Sequence, residues 1–161
     1  MGAAAWGVLA LAPLDPRFGI GLIEKLFLQA PLVIVPLGLA LAGVRGSIER
    51  AAGLAQPWAA AAAVASFFLP AGERAGLLAL PWLAVTALAG VAGILRFAHG
   101  AWRRTGEACF ASALTMLPVG GFGFVLSRLH LDPLGYGEPL GLLTGVHFHF
   151  AAFVAPLFAG A

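Results

Sequence analysis

Thr144-Gly-Val-His147-Phe-His149-Phe150 places two imidazoles inside an apolar stretch of 23 residues, 139–161, that contains no Asp, Glu, Lys or Arg. On a helix rising about 1.5 Å per residue they lie about 12–15 Å past Pro139. That depth approaches the middle of a bilayer, where ionisable groups are costly and usually face a bundle interior or a wet cavity. Their i, i+2 spacing turns the rings about 200° apart, so they address two different neighbours. One metal ion would need the His-x-x-x-His spacing of a helical zinc site. His147 shares its face with Leu140, Leu143, Thr144, Ala151 and Val154, and Thr144 one turn away can orient its ring. His149 shares its side with Gly145, Pro156 and Gly160, where another helix can come close. The chemistry open to the pair is proton exchange near neutral pH or ligation. The structural alternative is a pair of neutral braces bonded to backbone carbonyls.

Glu24 is the second candidate, as an intramembrane carboxylate pairing with a histidine or arginine. Its alternative is an interfacial pair with Lys25 at a helix start, where a carboxylate suits the dipole. Arg128, His130, Asp132 and Glu138 crowd the connection before the histidine helix, as a polar mouth above it or as a solvated loop. Arg96 and His99 read as helix-end residues, with the arginine snorkelling. Cys109 and Met116 read as packing. Ligand-binding or proton-exchanging candidates are therefore His147, His149, Glu24, Thr144, Glu138 and Arg128, with His147 and His149 the metal ligands if there is a metal. No nucleophile elbow, phosphate-cradling glycine loop or cysteine cluster is present, and Gly120-Gly121-Phe122-Gly123 lacks the Lys-Ser/Thr that would follow such a loop. A lipid-modifying enzyme lacks a nucleophile or a metal–carboxylate set. The residues favour a non-enzyme without a cofactor, with haem or a metal ion as the alternative.

The elements that position these groups follow from charge distribution. The chain has 161 residues, 61% apolar and 10% charged, against about 45–50% and 25% in an average soluble domain. Its sixteen charges leave six charge-free runs, 1–14, 26–44, 51–72, 75–95, 108–127 and 139–161, of 14, 19, 22, 21, 20 and 23 residues. Five exceed the ~18 residues of a membrane-span candidate. The fold class is all-α, a polytopic transmembrane bundle of five to six helices in a single domain over 1–161, several kinked by Pro or Gly. Nine Lys+Arg against seven Asp+Glu give net +2, without the clustered basic charge of a nucleic-acid binder. One cysteine excludes an internal disulfide framework.

The first run is short for a span, and as a signal peptide it lacks a basic n-region, its Ala10-Leu11-Ala12 site running into Pro13. A partial first helix, or a start inside a longer gene, is expected, and Ala161 closing within an apolar run points the same way. Helices are expected over Phe18–Val44, interrupted by Pro31 and Pro36; over Leu54–Leu69, alanine-rich for close approach; and over Ala75–Leu95, with a small-residue seam at Ala87, Ala89, Gly90 and Gly93. Two more are expected over Ala108–Ser127, broken at Pro118–Gly123, and over Leu140–Ala161. If all six cross, the connections after the second and fourth carry Arg45, Arg50, Arg96, Arg103 and Arg104, against Arg17, Lys25, Arg74 and Arg128 after the first, third and fifth. This leans to a cytoplasmic Arg96–Glu107 connection in a cell-membrane protein.

Leu143-Thr-Gly-Val-His-Phe-His-Phe-Ala-Ala-Phe153 resembles the Leu-Thr-Ala-Val-His-Phe-His-Tyr-Ala-Gly-Phe string of the YndJ-like family of bacterial membrane proteins. Leu32-Val-Ile-Val-Pro-Leu-Gly-Leu39, Leu117-Pro-Val-Gly-Gly121 and Pro133-Leu-Gly-Tyr136 line up in order, so the resemblance covers roughly residues 20–160. It singles out Glu24, Pro36, Glu138, Thr144, His147 and His149. Gly145 and Phe150 depart from it, and Phe150 lacks the hydroxyl a relay would use. The resemblance implies a multi-spanning membrane protein, sometimes labelled a transporter, and assigns no reaction. Val146-His-Phe-His-Phe150 is also similar to a string in haem-copper oxidase subunit I, where opposite histidines serve two haems. Only His99 and His130 remain here as further ligands, and the chain is far too short for that family. The expected function is a His/Glu polar site in the membrane that binds or moves a small solute with proton coupling. A haem or metal module and a ligand-free accessory protein are the alternatives.

Overall fold

The computed structural model describes residues 2–11, 20–133, 135 and 137–161. Within them lie six helices: α1 (Gly2–Leu11), α2 (Leu22–Ala42), α3 (Ser47–Ser66), α4 (Glu73–Ala98), α5 (Thr105–Leu129) and α6 (Leu140–Gly160). Four of them, α2, α4, α5 and α6, are long and apolar enough to cross a membrane. The α4–α5 pairing is the most extensive; α3 flanks α4, α6 flanks α5, and α2 closes the ring against α6 and α3, with α1 outside on α2. Trp82, Phe27, Phe67, Phe124, Phe153, Leu114, Leu117 and His149 fill the centre and are fully buried.

The boundaries differ from those expected in ways that have physical causes. Phe18 and Gly19 lie outside the described residues, and α2 begins after Gly21, whose N–H donates to the Glu24 carboxylate at 2.8 Å. It ends at Gly43, whose φ of +73° suits glycine. α3 starts seven residues before the expected Leu54 because Glu49 and Arg50 are accommodated in its first turn: Glu49 accepts the Arg45 N–H at 2.8 Å. It stops at Ser66, short of Leu69. α4 extends from Ala75 back to Glu73 and from Leu95 on to Ala98, so the Arg96–Glu107 connection shrinks to a short 3₁₀ turn, Ala101–Arg103, and its flanks.

α2 and α6 each contain one wide turn, at Ala30–Ile34 and Phe150–Val154. In α2 the Val35 N–H reaches back five residues to the Ala30 carbonyl. That frees the Pro31 carbonyl, which accepts from the buried Gln56 amide of α3 at 2.6 Å. Pro36 and Pro156 follow these turns, so the carbonyls their rings would strike, at Leu32 and Ala152, lie within the widened segments.

The expected break in α5 is absent; the helix runs continuously through Pro118–Gly123. Its small residues serve approach rather than bending. The Pro118 ring sits against Gly90, Gly121 against Thr86, and Gly120 against the His149 ring. The expected seam on α4 is real at Gly90 and Gly93, and a methyl at Gly93 would lie 2.6 Å from the Ala111 carbonyl oxygen. Gly93→Ala is therefore expected to destabilise by about 1–3 kcal/mol, because backbone must shift. Gly53→Ala, whose Cβ meets open space on α3, should instead gain up to about 1 kcal/mol of helix propensity. Thermal unfolding of both variants in detergent checks the contrast.

Candidate functional site

His149 lies at the junction of α4, α5 and α6 with no solvent exposure. The Trp82 indole N–H donates to its Nε2 at 3.2 Å. An indole only donates, so Nε2 is the acceptor and Nδ1 carries the proton, which goes to the Gly145 carbonyl at 2.7 Å. The ring stacks on Trp82 (centroids 5.8 Å apart, 27°) and takes the edge of Phe27 (5.5 Å, 84°). A neutral imidazole has one donor and one acceptor, and both are used here. This donor set does not suit haem or a metal: ligation would first have to displace the Trp82 N–H or the Gly145 bond. Among the described residues no three or more His, Cys, Asp or Glu form a metal-holding group.

His147 faces the other way, as the spacing requires. It is exposed, with its ring edge-on to Phe148. Thr144 shares that outer face and donates its hydroxyl to the Leu140 carbonyl at 2.9 Å. The structure thus separates the two histidines, and Thr144 turns to its own backbone rather than to the His147 ring.

At the α2, α4 and α6 N-terminal end sits the second group. Arg128, near the end of α5, is 9% exposed and donates through Nη2 to the Ser66 and Leu69 carbonyls at 3.0 and 2.8 Å. Its guanidinium lies 4.8 Å over the Phe67 ring. These contacts close the C-terminal end of α3, where a cation opposes the exposed carbonyl dipoles. Its Nε is buried with no hydrogen-bond partner among the described residues, and the carboxylates of Glu24 and Glu138 act on it electrostatically. Glu24 also caps α2, while the Lys25 ammonium reaches the Ala10 carbonyl at 3.2 Å, closing α1. Of the expected residues, then, Glu24, Arg128 and Glu138 share one end of the bundle, apart from both histidines.

Beside this group a groove of about 420 Å³ runs between α5 and the first half of α6. Val119, Phe122, Leu126 and Leu140 make its apolar walls; Glu138, Asp132, His130 and Thr144 are its polar lining. Asp132 holds the connection, accepting the Gly137 N–H at 2.6 Å. Glu138 makes no hydrogen bond among the described residues. The lining contains two carboxylates and no Lys or Arg, with the Arg128 guanidinium near enough to Glu138 to act on it electrostatically.

The opposite end holds a pair that sequence reasoning missed. Arg96 does not snorkel: it is 6% exposed, its Nε on Glu49 at 2.9 Å, its Nη1 on the Ala42 carbonyl at 2.9 Å and its Nη2 on the Gly43 carbonyl at 2.6 Å. Arg96 closes α2 as Arg128 closes α3. The available signal was Glu49 itself, a charge close to a run otherwise fit to be buried.

The whole arrangement is that of a multi-pass membrane protein, with an apolar ring of helices, a buried histidine brace and an arginine closing each end. No solved structure matches the chain. Over 67 residues, 42% of the chain, it is 39% identical to a protein of Bacillus subtilis (strain 168) described as uncharacterized membrane protein YndJ. That match spans 12% of the relative's length. The family described as YndJ-like protein matches residues 25–161, which take in Glu138, the histidine string and every helix except α1 and the start of α2. The resemblance carried by Thr144-Gly-Val-His-Phe-His149 thus extends through almost the whole bundle, and the chain belongs to the YndJ-like family.

Proposed function

We propose that the groove between α5 and α6 binds a small amphiphilic solute, its apolar body against Phe122, Leu126 and Leu140 and a cationic head at Glu138. The observation that carries this reading is the sign of the lining: a largely apolar cleft whose charged residues are carboxylates. Glu138 is the ligand of the solute's cationic head. Arg128 and Glu24 set the field around it, and Thr144 lines the groove one turn further in. His149 acts by holding α6 against α4, so that the groove keeps its shape.

In this reading the protein sits in the cell membrane with the α2–α3 and α4–α5 turns in the cytoplasm. Arg96 is withdrawn into the protein at one end and Arg128 and Lys25 at the other, which leaves Arg45, Arg50, Arg103 and Arg104 exposed at the Arg96 end against Arg74 at the other, Arg17 being outside the described residues. That strengthens a bias which the residue counts alone leave at one.

Tetraphenylphosphonium, a lipophilic cation, is a suitable probe. Purified protein should bind it, and Glu138→Gln should weaken binding about tenfold, equivalent to ~1.4 kcal/mol, while Glu138→Asp retains most of it. Equal binding by wild type and Glu138→Gln, measured by equilibrium dialysis, would overturn the reading.

A further inference from the structure

The two turns at the Arg96 end enclose a second pocket, of about 560 Å³ and opposite sign. It is lined by four arginines (Arg45, Arg96, Arg103, Arg104) and His99, against Glu49 and Glu107. Glu49 is engaged by Arg96 and the Arg45 N–H, and Glu107 by the Arg45 guanidinium through Oε1, while its Oε2 is buried without a hydrogen-bond partner among the described residues. Arg96 places Nε, Nη1 and Nη2 on Glu49 and on the Ala42 and Gly43 carbonyls. The Arg103 and Arg104 side chains are exposed and make no hydrogen bond to the protein among the described residues. The first turns of α3 and α5, at Ser47 and Thr105, open beside them without side-chain caps. Two free guanidinium groups, in a pocket where four arginines face two carboxylates, make a phosphate-binding environment.

We propose that this pocket binds the phosphate of an anionic membrane-lipid headgroup. The lipid source, rather than dissolved phosphate, follows from position. Trp102 is 65% exposed and lies under the Arg103 guanidinium, 5.0 Å from ring centroid to Cζ, as tryptophans do at headgroup level. Leu95 in the rim, with Ile94 and Val91 exposed on α4, offers an apolar track for acyl chains leading away from the pocket. Basic pockets of this kind between helices recognise acidic headgroups. The proposal is independent of the solute groove at the other end.

The test uses the full chain in detergent, titrated with phosphatidylglycerol, phosphatidylcholine or inorganic phosphate, and read by native mass spectrometry and by the thermal midpoint. Phosphatidylglycerol should bind and raise the midpoint, phosphatidylcholine should not, and Arg103→Gln/Arg104→Gln should weaken phosphatidylglycerol binding by about tenfold or more. Circular dichroism verifies that this surface variant is folded. Arg50→Gln removes an exposed arginine at the same end but outside the pocket lining and should leave binding unchanged. Three results overturn the proposal: unchanged phosphatidylglycerol binding in the double variant, an equal loss in Arg50→Gln, which would mean diffuse attraction, or equal binding of phosphatidylcholine. Protection by inorganic phosphate without phosphatidylglycerol binding would overturn the lipid source.

Discussion

His149→Ala is expected to destabilise the protein by about 3–5 kcal/mol, the loss found when a large buried ring is truncated. His149 touches α4 through Trp82, α5 through Gly120 and α2 through Phe27, so the void opens where four helices meet. Volume dominates the effect. A side-chain hydrogen bond inside a membrane protein averages only about 0.6 kcal/mol. His149→Phe retains the volume but strands the Trp82 N–H, which places its loss nearer about 1–3 kcal/mol. Adding Trp82→Phe removes the stranded donor and should recover part of that loss. His147→Ala, on the exposed face, should stay within about 0.5 kcal/mol. Denaturant titration in detergent orders the variants, and a His149→Ala protein as stable as wild type would end the brace interpretation.

Arg96→Leu is expected to have a comparable effect at one end of the bundle, about 3–5 kcal/mol, because it leaves a buried carboxylate without its cation. The Glu49 side chain is 10% exposed and that of Arg96 5%. The same change unpairs the Ala42 and Gly43 carbonyls. Glu49→Gln should do less harm, since an amide oxygen still accepts from Nε. The Arg45–Glu107 pair has side chains 53% and 20% exposed; as a solvent-screened surface contact it should contribute about 0–1 kcal/mol. Arg45→Gln is therefore the informative control in the same unfolding assay. If Arg45→Gln and Arg96→Leu unfold alike, burial is not what makes the Arg96 pair strong.

What the sequence reveals of this molecule depends on whether the deciding contact is local. The charge-free runs report the helices of the bundle, but only four of the five span-length runs fall in helices long and apolar enough to cross a membrane. The run 51–72 falls in α3, which starts at Ser47 with Glu49 and Arg50 in its first turns and is not one of the four. The i, i+2 histidine spacing requires two different surroundings, and one imidazole is indeed buried while the other faces outward. Which surroundings they are is not local: Trp82 lies 67 positions from His149, in an apolar run that gives no hint of an acceptor nearby. Glycine is ambiguous for the same reason. Pro118–Gly123 reads equally as a bend or as a seam, and the answer lies on α4 and α6, in Thr86 and His149. Arg96 at a helix end reads as a snorkel until Glu49, 47 positions away, is known to open a helix beside it. Glu138 and Thr144 stand out in the sequence as polar residues at or inside an apolar run. That they line one groove with Leu126 and Phe122 required the α5–α6 packing.

The wide turns of α2 and α6 act, finally, as insertions in phase. One residue added to a helical turn rotates everything beyond it by about 100°, and the two turns touch one another within the bundle. Beyond them, Gly38 of α2 receives the Phe153 ring and a Leu157 methyl of α6. Shortening α2 by a single residue between 30 and 34 would leave its hydropathy and its span count almost unaltered. It would nonetheless swing Gly38 away and present a different face to Phe153. Two relatives with the same hydropathy profile can therefore have different inner walls, and alignment gaps at these two turns would identify which wall each one has.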